Sequence, residues 1–415
     1  MGFHVIIEYP NKLDKIFDKL KINNIKPILI GGYVRDILLQ CSSNDIDIEV
    51  YGVNSFKKLE EILQEFGDVN SVGKSFGVCK LAYEGLDLDF SLPRQDSKIS
   101  DGHRGFEVKV DPTLDFINAT KRRDFTINAI GYDIFEQKIL DPFGGLVDLQ
   151  AKLLRAVDKK TFVEDPLRVL RLVQFATRFE MHADEELFML CKEMVKEKEF
   201  KELARERVYE EIKKLLLKSP KPSIGIKLLH DLGLYKEWTA LDAVDTLAQY
   251  TRDMPLRLPT KKESLLLYFS LLYKRETLPL LSKITTDVKL LQDITTFIEY
   301  KEYLSTPFDT VSNYELYFLA TKVKLRLFFL FLDTQTLRRY TQEIELLCQR
   351  AKKLHILERE APTLLQGRDL LEKGLKPSKD FKTILHTAYE AQMHAEFTKR
   401  EEALVWLQEY LDIQK

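Results

Sequence analysis

A glycine pair between an apolar run and a helical pattern is the feature that most limits what this chain can fold into. Residues 28–30 (Ile-Leu-Ile) are typical of a buried strand, and the helical spacing of apolar residues resumes over residues 34–39. Gly31 and Gly32 allow the backbone between them to turn tightly and to approach a ligand closely. Because the first N–H groups of a helix are unpaired and lie at the positive end of its dipole, this turn predicts a site for an anion such as a triphosphate.

A second apolar run, residues 45–50 (Asp-Ile-Asp-Ile-Glu-Val), carries carboxylates at alternate positions. Strand side chains alternate between faces, so Asp45 and Asp47 project from the same face. Adjacent carboxylates repel each other unless a cation joins them, and Mg²⁺ prefers such oxygen ligands. A solvent-exposed pair on a strand or turn is the alternative, and it is the commoner meaning of such a pair in isolation. The apolar neighbours, the glycine turn and Arg35 favour the metal site.

A third strand pattern carries another alternating pair, Asp87 and Asp89. Asp89, and with less support Asp87, is a candidate third carboxylate of the cluster. Alternation on a solvated face explains both residues almost as well. Whether Asp89 joins Asp45 and Asp47 therefore stays open at the level of sequence.

Composition excludes several classes of protein. The chain has 415 residues, 45% of them hydrophobic and 31% charged, which is ordinary for a folded protein of about two to four domains. The net charge of −2 means that any contact with nucleic acid must use a local basic face. Widely spaced cysteines without a CxxC pair argue for free thiols and against a zinc site. With no leader and no apolar segment near the roughly 18 to 20 residues of a membrane helix, we expect a cytoplasmic protein.

Strand and helix signals alternate in the first part of the chain and predict a mixed sheet. A helix is expected within residues 55–66, and two strands are expected within residues 75–92 around the turn Tyr83-Glu-Gly85. The polar residues 95–105 predict a mobile loop. From about Val163 onward helical periodicity dominates and no further strand is predicted. The expected fold class is α+β, a head with a small mixed β-sheet and helices followed by an all-helical remainder.

Arg122, Arg123 and Asp124 form a compact charged cluster before Asn128. Guanidinium groups match the geometry of phosphate oxygens, so this cluster suits a triphosphate or a sugar hydroxyl. A basic cluster by itself is more often a solvent-facing surface. The cluster therefore predicts a nucleotide site only together with other motifs.

Asp165, Arg168 and Arg171 lie where a helical pattern begins. Asp165 and Arg168 are three residues apart and can stand on one side of a helix. A carboxylate accepts from an exocyclic amino group while a guanidinium donates to the adjacent ring nitrogen, which suits cytosine and adenine and rejects uracil and guanine. Asp165 before Pro166 is equally a good helix N-cap with proline in the first turn, and local chemistry favours neither explanation.

Five motifs follow one another along roughly the first half of the chain. They are Gly31-Gly32-Tyr-Val-Arg35-Asp36 with Asp45-Ile-Asp47, Arg122-Arg123-Asp124-Phe-Thr-Ile-Asn128-Ala, Asp141-Pro-Phe-Gly-Gly-Leu-Val-Asp148, Glu164-Asp165-Pro-Leu-Arg168-Val-Leu-Arg171, and Glu206-Arg207-Val-Tyr-Glu210. In this order they resemble the class II tRNA nucleotidyltransferases, the CCA-adding enzymes, and the related bacterial poly(A) polymerases. There the corresponding motifs serve catalysis, ribose selection, the hinge between head and neck, the amino-acid template for the base, and the neck. Five motifs in order are specific where each alone is not.

The resemblance implies domains and residue roles. It implies a catalytic nucleotidyltransferase head over residues 1–140, a helical neck over 141–218, a helical body over 219–300 and a helical, tRNA-binding tail over 301–415. The implied catalytic residues, which would also bind Mg²⁺, are Asp45 and Asp47. The implied nucleotide-binding residues are Gly32 and Arg35 at the triphosphate, Arg122, Arg123, Asp124 and Asn128 at the nucleotide and ribose, and Asp165, Arg168 and Arg171 at the base.

The end of the chain resembles the tRNA-binding tail of CCA-adding enzymes more than the tail of poly(A) polymerases. The segment Gln366-Gly367-Arg368-Asp369-Leu-Leu-Glu-Lys-Gly374-Leu-Lys-Pro377 looks like the tail of CCA-adding enzymes, although Ser378 stands where the family often has another glycine. Poly(A) polymerases of the family usually end in a basic, disordered extension. The resemblance thus implies an enzyme that adds CMP and AMP from CTP and ATP to the 3′ end of tRNA and releases pyrophosphate. The implied partners are tRNA, ATP and CTP, with neither DNA nor a membrane.

Three alternatives share these motifs. An enzyme that adds only CC or only A has the same residues, and a poly(A) polymerase differs in the length of its product. A non-catalytic tRNA-binding protein would show no metal-dependent incorporation, and the intact carboxylates argue against it. Residues 239–358 match no motif and carry no prediction of function.

Overall fold

The structure is a computed structural model that describes residues 6–41, 43, 45–53, 55–70, 78–98, 106–253, 259–301, 303–304 and 308–413. The chain divides into two compact units, each with many contacts between its own residues. The first comprises Met1–Ser219 with Ile224–Lys236, and the second comprises Pro220–Ser223 with Glu237–Lys415. The division into head, neck, body and tail stays a prediction.

A mixed sheet is the centre of the first unit. The strands are β1 (Lys26–Ile30), β2 (Asp45–Tyr51), β3 (Val69–Asn70), β4 (Val78–Tyr83), β5 (Leu86–Ser91), β6 (Arg94–Lys98), β7 (Phe106–Val110), β8 (Gly131–Asp133), β9 (Lys138–Leu140), β10 (Leu153–Leu154) and β11 (His182–Ala183). Within the described residues, seven of them form one sheet in the order β3-β4-β5-β2-β1-β8-β9. Among the described residues of this seven-stranded sheet, β2 and β5 pair in parallel and the other neighbours are antiparallel. The predicted mixed sheet is confirmed.

Helices cover the sheet and continue beyond it. They are α1 (Asp14–Ile22), α2 (Gly31–Leu38), α3 (Phe56–Leu63), α4 (Phe116–Thr120), α5 (Gly145–Gln150), α6 (Lys159–Phe162), α7 (Arg168–Arg178), α8 (Glu185–Met194), α9 (Lys198–Lys201), α10 (Arg205–Lys218) and α11 (Pro222–Asp231). A short 3-10 helix, Thr126–Asn128, follows the charged cluster at Arg122. Helices α7 and α10 pack against each other, which places the fourth and fifth motifs side by side.

The second unit is helical throughout its described residues. Its helices are α12 (Leu241–Asp253), α13 (Lys261–Leu272), α14 (Leu278–Leu281), α15 (Val288–Tyr300), α16 (Asn313–Ala320), α17 (Leu325–Gln335), α18 (Thr341–Lys353), α19 (Gly367–Glu372), α20 (Lys379–Met393) and α21 (Arg400–Ile413). A separate apolar cluster that includes Leu370, Ala388 and Leu407 joins the last three of these helices. None of the helices in the described residues is long and apolar enough to cross a membrane.

The alternation of β2 determines which of its residues enter the core. Ile46, Ile48 and Val50 are almost completely buried in the main apolar cluster of the first unit, whereas Asp45 is exposed and Asp47 half-buried. The hairpin of β4 and β5 turns at Glu84 and Gly85, both in the left-handed region, as the sequence predicts. The apolar half of each strand therefore holds the sheet in register while the polar half lies on the other face.

Two sequence-based expectations need correction. Residues 95–98 are not loop but lie in β6, which pairs with β7 in a hairpin of its own, because backbone pairing stabilises a strand even when its sequence is polar. Residues 99–105 lie outside the described residues. The remainder after Val163 is not purely helical, since β11 pairs in parallel with β10. This two-residue strand is too short to produce a periodic signal.

Candidate active site

The glycine turn is shaped by the side chains that surround it. Helix α2 begins at Gly31, directly after β1, and the φ of Gly31 is +67°. A Cβ atom on Gly31 would lie 2.7 Å from Nη1 of Arg123 and 3.4 Å from Oδ2 of Asp47, and one on Gly32 would lie 3.6 Å from Nη2 of Arg35. Glycine at residue 31 thus provides both the left-handed backbone and the room for a guanidinium beside a carboxylate.

Parallel pairing of β2 and β5 brings the predicted carboxylates together. Asp45 is in register with Asp87, and Asp47 is in register with Asp89, so all four project from one face of the sheet. Asp45 and Asp87 are exposed, and Asp47 and Asp89 are half-buried. The sheet therefore presents an acidic face next to the glycine turn.

The protonation of Asp47 reflects this crowding. Burial raises the pKa of Asp47; the guanidinium of Arg123 opposes the shift, and the charges of Asp89 and Asp45 add to it. A cation bound between Asp45 and Asp47 would remove both the repulsion and part of the desolvation cost. The pair of adjacent carboxylates fits Mg²⁺, which is commonly held by one or two carboxylates together with substrate phosphates.

Asp89 has a partner of its own in the sheet. Lys80 on β4 is in register with Asp89, and its Nζ donates to both carboxylate oxygens at 2.9 and 2.6 Å. In the part of the chain that the structure describes, no three His, Cys, Asp or Glu side chains converge on a metal position. The arrangement therefore favours a two-aspartate site, with Asp89 held by Lys80.

A cleft of about 940 Å³ opens over the acidic face. The predicted site residues that line it are Gly32, Arg35, Asp45, Asp47, Arg123, Asp124, Asn128 and Arg171. Arg122, Asp165 and Arg168 do not line it. Aspartates lie on the sheet side, and the opposing wall from α7 and α10 contributes Arg171, Arg178, Lys214 and Lys218. Such a division of charge suits a ligand that carries phosphates and binds a cation at the same time.

Arg35 is buried and makes hydrogen bonds within the protein with three of the five N–H groups of its guanidinium. Only 4% of it is exposed, and burial lowers the pKa of its guanidinium. Its Nε and Nη2 donate to Oδ1 of Asp36 at 2.8 and 2.5 Å, and its Nη1 donates to Oδ1 of Asn128 at 2.5 Å. The structure thus places the predicted triphosphate ligand Arg35 at the base of the cleft with each of its three nitrogens already donating.

The two adjacent arginines of the charged cluster point to different places. Arg122 lies 3.2 Å from the buried carboxylate of Glu49, which also accepts from the hydroxyl of Tyr51 at 2.6 Å. Arg123 approaches Gly31 and Asp47 instead, and its buried Nε has no hydrogen-bond partner within the described chain. Arg123 therefore lies beside the glycine turn, and its role toward a nucleotide stays a prediction.

Asp124 is saturated by hydrogen bonds. Its Oδ1 accepts from the backbone N–H of Phe125 at 2.8 Å and from Nδ2 of Asn128 at 2.9 Å, and its Oδ2 accepts from Nε of Arg171 at 2.7 Å and lies 2.6 Å from Nη2. Burial works against the charged form of Asp124, but Arg171, the Asn128 amide and Arg168 outweigh it and lower the pKa to about 2. Asp124 is ionised and fixes the plane of Arg171.

The predicted base-reading pair is separated by other partners. Asp165 accepts from the N–H of Leu167 at 3.1 Å and pairs with Nη2 of Arg207 on α10 at 3.0 Å. Arg168 donates to the backbone oxygens of Thr161 and Arg122 at 2.7 and 2.6 Å. The bond from Leu167 N–H makes Asp165 an acceptor in the turn before α7, but the N-cap residue of α7 is Leu167 and it makes no side-chain capping bond. The base-reading role of Asp165 stays a prediction.

Several residues around the cleft were not predicted as site residues. Lys80, Phe175, Arg178, Lys214 and Lys218 line the cleft, and Arg207 holds Asp165. The spacing of Arg171, Phe175 and Arg178 by four and then three residues places them on one helix face, so helical periodicity was a usable signal for them. The pairing of Lys80 with Asp89 and of Arg207 with Asp165 depends on tertiary contacts that the sequence does not display.

Comparison with protein families identifies two matching segments. Residues 28–155 match the family described as "Poly A polymerase head domain", and residues 180–239 match the family described as "Probable RNA and SrmB- binding site of polymerase A". A multifunctional CCA protein of Stenotrophomonas maltophilia is 37% identical over 233 residues, which are 54% of this chain and 55% of that protein. One of Nitrosospira multiformis is 39% identical over 209 residues, which are 50% of this chain and 48% of that protein. The chain spans about half the length of these relatives.

Solved structures resemble the fold over nearly the whole chain. The CCA-adding enzyme of Bacillus stearothermophilus in complex with CTP has a TM-score of 0.76 at 22% identity, covering 98% of this chain and 99% of that one. The Thermotoga maritima CCA-adding enzyme complexed with tRNA has a TM-score of 0.67 at 21% identity, covering 98% and 97%. The expected fold, a mixed-sheet head followed by many helices, is confirmed by these similarities.

Proposed function

Because this chain belongs to the class II nucleotidyltransferases, with a poly(A) polymerase head domain and the associated RNA-binding domain, we propose that it adds CMP and AMP to the 3′ end of tRNA. CTP and ATP are the donors and pyrophosphate is released. One observation supports this activity above the others. Asp45 and Asp47 of β2 line the same cleft as Arg123 and Arg171. The buried Nε of Arg123, beside the glycine turn, has no hydrogen-bond partner in the described chain.

Asp45 and Asp47 are the catalytic residues in this proposal, and together they hold Mg²⁺. When bound, the metal activates the attacking 3′ hydroxyl and stabilises the leaving pyrophosphate. Lys80 keeps Asp89 out of the ligand set by pairing with both of its oxygens. The two β2 aspartates would hold the cation on the acidic face beside the glycine turn.

The triphosphate binds at the glycine turn in this proposal. Gly31 and Gly32 let the phosphates approach the first N–H groups of α2, and Arg123 donates to them from the side of Asp47. Arg122 supports this position indirectly because its pairing with Glu49 anchors the neighbouring residue to β2. Asn128 and Asp124 hold Arg35 and Arg171 and so shape the wall next to the ribose.

We assign recognition of the base first to Arg171, which lines the cleft with its plane fixed by Asp124. A guanidinium in fixed orientation donates to the ring nitrogen acceptor of cytosine or adenine. Asp165 and Arg168 reach the base only by leaving Arg207 and the two carbonyl oxygens that they now contact. Such an exchange of partners on nucleotide binding is part of the proposal.

tRNA is the proposed acceptor, held through local basic faces of the helical second unit. The contacts would be to phosphates and shape, because double-stranded RNA is recognised mostly by its geometry. The similarity to a tRNA-bound relative supports this choice at the level of the fold. We expect neither DNA nor a membrane among the partners.

Incorporation of labelled nucleotides tests the proposal. Transfer RNAs that lack one, two or three terminal residues are offered with CTP, ATP, GTP or UTP, and the products are resolved at single-nucleotide length. Completion of CCA is the expected result. Arrest after CC or action only on tRNA ending in CC would assign a partial enzyme, and long adenylate products on unstructured RNA would assign a poly(A) polymerase.

The double variant Asp45→Ala with Asp47→Ala tests the catalytic residues. We expect incorporation to fall to background while tRNA binding persists. Glu61→Ala removes an exposed carboxylate of α3 that does not line the cleft and is the matched control, with activity close to that of the unchanged protein. Incorporation by the double variant would contradict the mechanism, and binding of tRNA without any incorporation by the unchanged protein would indicate a non-catalytic binding protein.

A further inference from the structure

A run of stacked aromatic rings lies on the second unit, in a region for which the sequence predicts no function. Phe318 stacks with Tyr303 at a centroid distance of 5.1 Å and with Tyr314 at 6.5 Å, and Tyr314 stacks with His394 at 4.0 Å. Tyr300 contacts Tyr303 and Phe318 edge-on, both at 6.0 Å. These five rings, which we call the aromatic column, join the end of α15 to α16 and α20.

Part of the aromatic column is open to solvent. Tyr303 is 38% exposed and His394 is also exposed, whereas Tyr300, Tyr314 and Phe318 are half-buried. The half-buried rings pack α16 against its neighbours. The exposed ring of Tyr303 leaves apolar, flat surface on which another flat group can stack.

A groove of about 640 Å³ adjoins the aromatic column. Lys289 and Thr296 line the groove from α15, and Tyr300 lies four residues beyond Thr296 on the same helix face. Lys322, two residues after the end of α16, also lines the groove, and its Nζ lies 5.3 Å from the centroid of the Phe318 ring. The groove and the aromatic column therefore form one continuous surface.

Cations outnumber carboxylates around this groove. The cations among its described lining residues are Lys262, Lys289, Lys322, Lys324 and Arg359, against the carboxylates Glu263, Asp293 and Glu360. Lys262 and Lys324 are already paired, with Asp287 and Glu263 respectively. Within the described residues the other three cations form no ion pair. Cations beside stacked rings suit a ligand that combines phosphates with flat bases.

We propose that this surface binds an unpaired nucleotide of the RNA substrate, with the base stacked on Tyr303 and the neighbouring phosphates at Lys322 and Lys289. Single-stranded nucleic acids are commonly bound by this combination of aromatic side chains and a positively charged groove. The inference deepens the proposed function and rests on it for the identity of the ligand as RNA. It differs from recognition of a duplex by shape, because a base is accessible for stacking only where it is unpaired.

Binding of a short RNA to the full chain tests the inference. Octaadenylate blocked at its 3′ end is compared with an abasic oligonucleotide of the same length, backbone and 3′ block, by fluorescence anisotropy without nucleoside triphosphates. Because both carry the same phosphates, only the bases distinguish them. We expect Tyr303→Leu to lower the affinity for octaadenylate about ten-fold and to leave the affinity for the abasic oligonucleotide unchanged, since one stacked base contributes about this factor.

Two further tyrosine variants separate stacking from packing. Tyr303→Phe keeps the ring and should keep the affinity for octaadenylate. Tyr340→Leu is the matched control, because Tyr340 is a half-buried tyrosine of the same unit that contacts Phe308 edge-on and lies outside the groove. Melting temperatures accompany each titration. A folded Tyr303→Leu protein that binds octaadenylate as tightly as the unchanged protein, or that loses affinity equally for the abasic oligonucleotide, would overturn the inference.

Lys322→Gln keeps the inference testable if Tyr303→Leu does not fold, because Lys322 is exposed. Loss of one phosphate contact should reduce the slope of log affinity against log salt concentration by about 0.7 for both oligonucleotides. Lys353→Gln removes an exposed lysine of α18 that does not line the groove, and it should leave the slope unchanged. Equal slopes in both lysine variants would overturn the inference.

These measurements separate the inference from the proposed function, because they require neither tRNA nor nucleotidyl transfer. A protein that does not extend tRNA but shows the base-dependent loss in Tyr303→Leu supports the inference and overturns only the proposed function. A protein that completes CCA but binds octaadenylate no more tightly than the abasic oligonucleotide overturns only the inference, and the aromatic column then serves packing alone.

Discussion

At residue 31 both the backbone conformation and a neighbouring side chain exclude a residue with a Cβ atom. The φ of +67° is strained for any residue with a Cβ, and that Cβ would lie 2.7 Å from Nη1 of Arg123. We predict that Gly31→Ala lowers stability by about 1 to 2 kcal/mol and weakens CTP binding, because Arg123 must move. Chemical denaturation and calorimetry measure the two effects. Gly85→Ala, at φ +80° with open space around its Cβ, should cost stability alone, and an equal loss of CTP binding there would contradict the explanation.

The low pKa of Asp124 predicts how its contribution to stability depends on pH. Its folded pKa of about 2 is below the value of about 3.9 in an unfolded chain, so ionised Asp124 stabilises the protein above about pH 4. This stabilisation, about 2 to 3 kcal/mol at neutral pH, is lost as the pH falls from about 4 through 2. Chemical denaturation across this pH range should show that Asp124→Asn has a lower free energy of unfolding than the unchanged protein, and that the difference becomes smaller as the pH falls. A difference in the free energy of unfolding that does not change with pH would contradict this prediction. Asp87→Asn, at an exposed carboxylate, is the control.

At the level of secondary structure, α10 holds the start of α7 through Arg207 and Asp165. We predict that Arg207→Met lowers stability by about 1 kcal/mol because Asp165 loses its ion-pair partner, and that it increases the preference for CTP over UTP because Asp165 no longer has to leave Arg207 to reach the base. Melting temperatures and nucleotide titrations measure both quantities. Lys213→Met removes another cation of α10, one that pairs with exposed Glu210, and should change neither. Identical behaviour of the two variants would show that the Arg207 contact has no special role.

Local patterns predicted the elements that bear the site. Alternation identified β2 and the β4–β5 hairpin, and the glycine pair identified the start of α2, because these signals arise from residues close in sequence. The parallel pairing that aligns Asp47 with Asp89 was not predictable, since register depends on the whole sheet. The polar sequence of β6 indicates a loop, and the strand forms because β6 pairs with β7.

Side-chain partners across long separations were the least predictable part of the site. Arg35 bonds Asn128 across 93 residues, and Arg207 bonds Asp165 across 42. The sequence shows that a buried arginine needs partners, but several carboxylates and amides are equally plausible before folding. The resemblance to known nucleotidyltransferases implied the residue types of the site, whereas only the structure shows that Arg123 approaches Gly31 and that Arg35 bonds Asp36 and Asn128.

For the whole molecule, the metal is expected to serve catalysis and not folding. No three potential metal ligands converge in the described chain, so we expect weak metal binding without nucleotide and little change of stability with a divalent cation. We predict that chelation abolishes incorporation, that added Mg²⁺ restores it, and that the melting temperature without nucleotide is the same in both states. Scanning calorimetry with and without chelator provides the measurement. A lower melting temperature after chelation would reveal a structural metal.

Binding of tRNA should depend steeply on salt although the net charge is only −2. Each phosphate contact releases counterions, so a local basic face produces the same salt dependence as a basic protein. We predict at least a ten-fold loss of tRNA affinity between about 50 and 200 mM salt, and weaker binding of duplex DNA of matched length at every salt concentration. Filter binding measures both. Affinity that does not change with salt would exclude phosphate contacts as the main source of binding.

The alternation of β2 has a consequence for how proteins of this kind can diverge. Ile46 and Ile48 enter the core while Asp45 and Asp47 face the cleft, so the same few residues encode both stability and chemistry in alternate positions. Substitution of an isoleucine therefore changes mainly stability, and substitution of an aspartate changes mainly the chemistry of the cleft. Insertion or deletion of a single residue within β2 exchanges the two sets, placing carboxylates in the core and isoleucines in the cleft. Descendants of this sequence can therefore vary in length at the ends of β2 but not inside it.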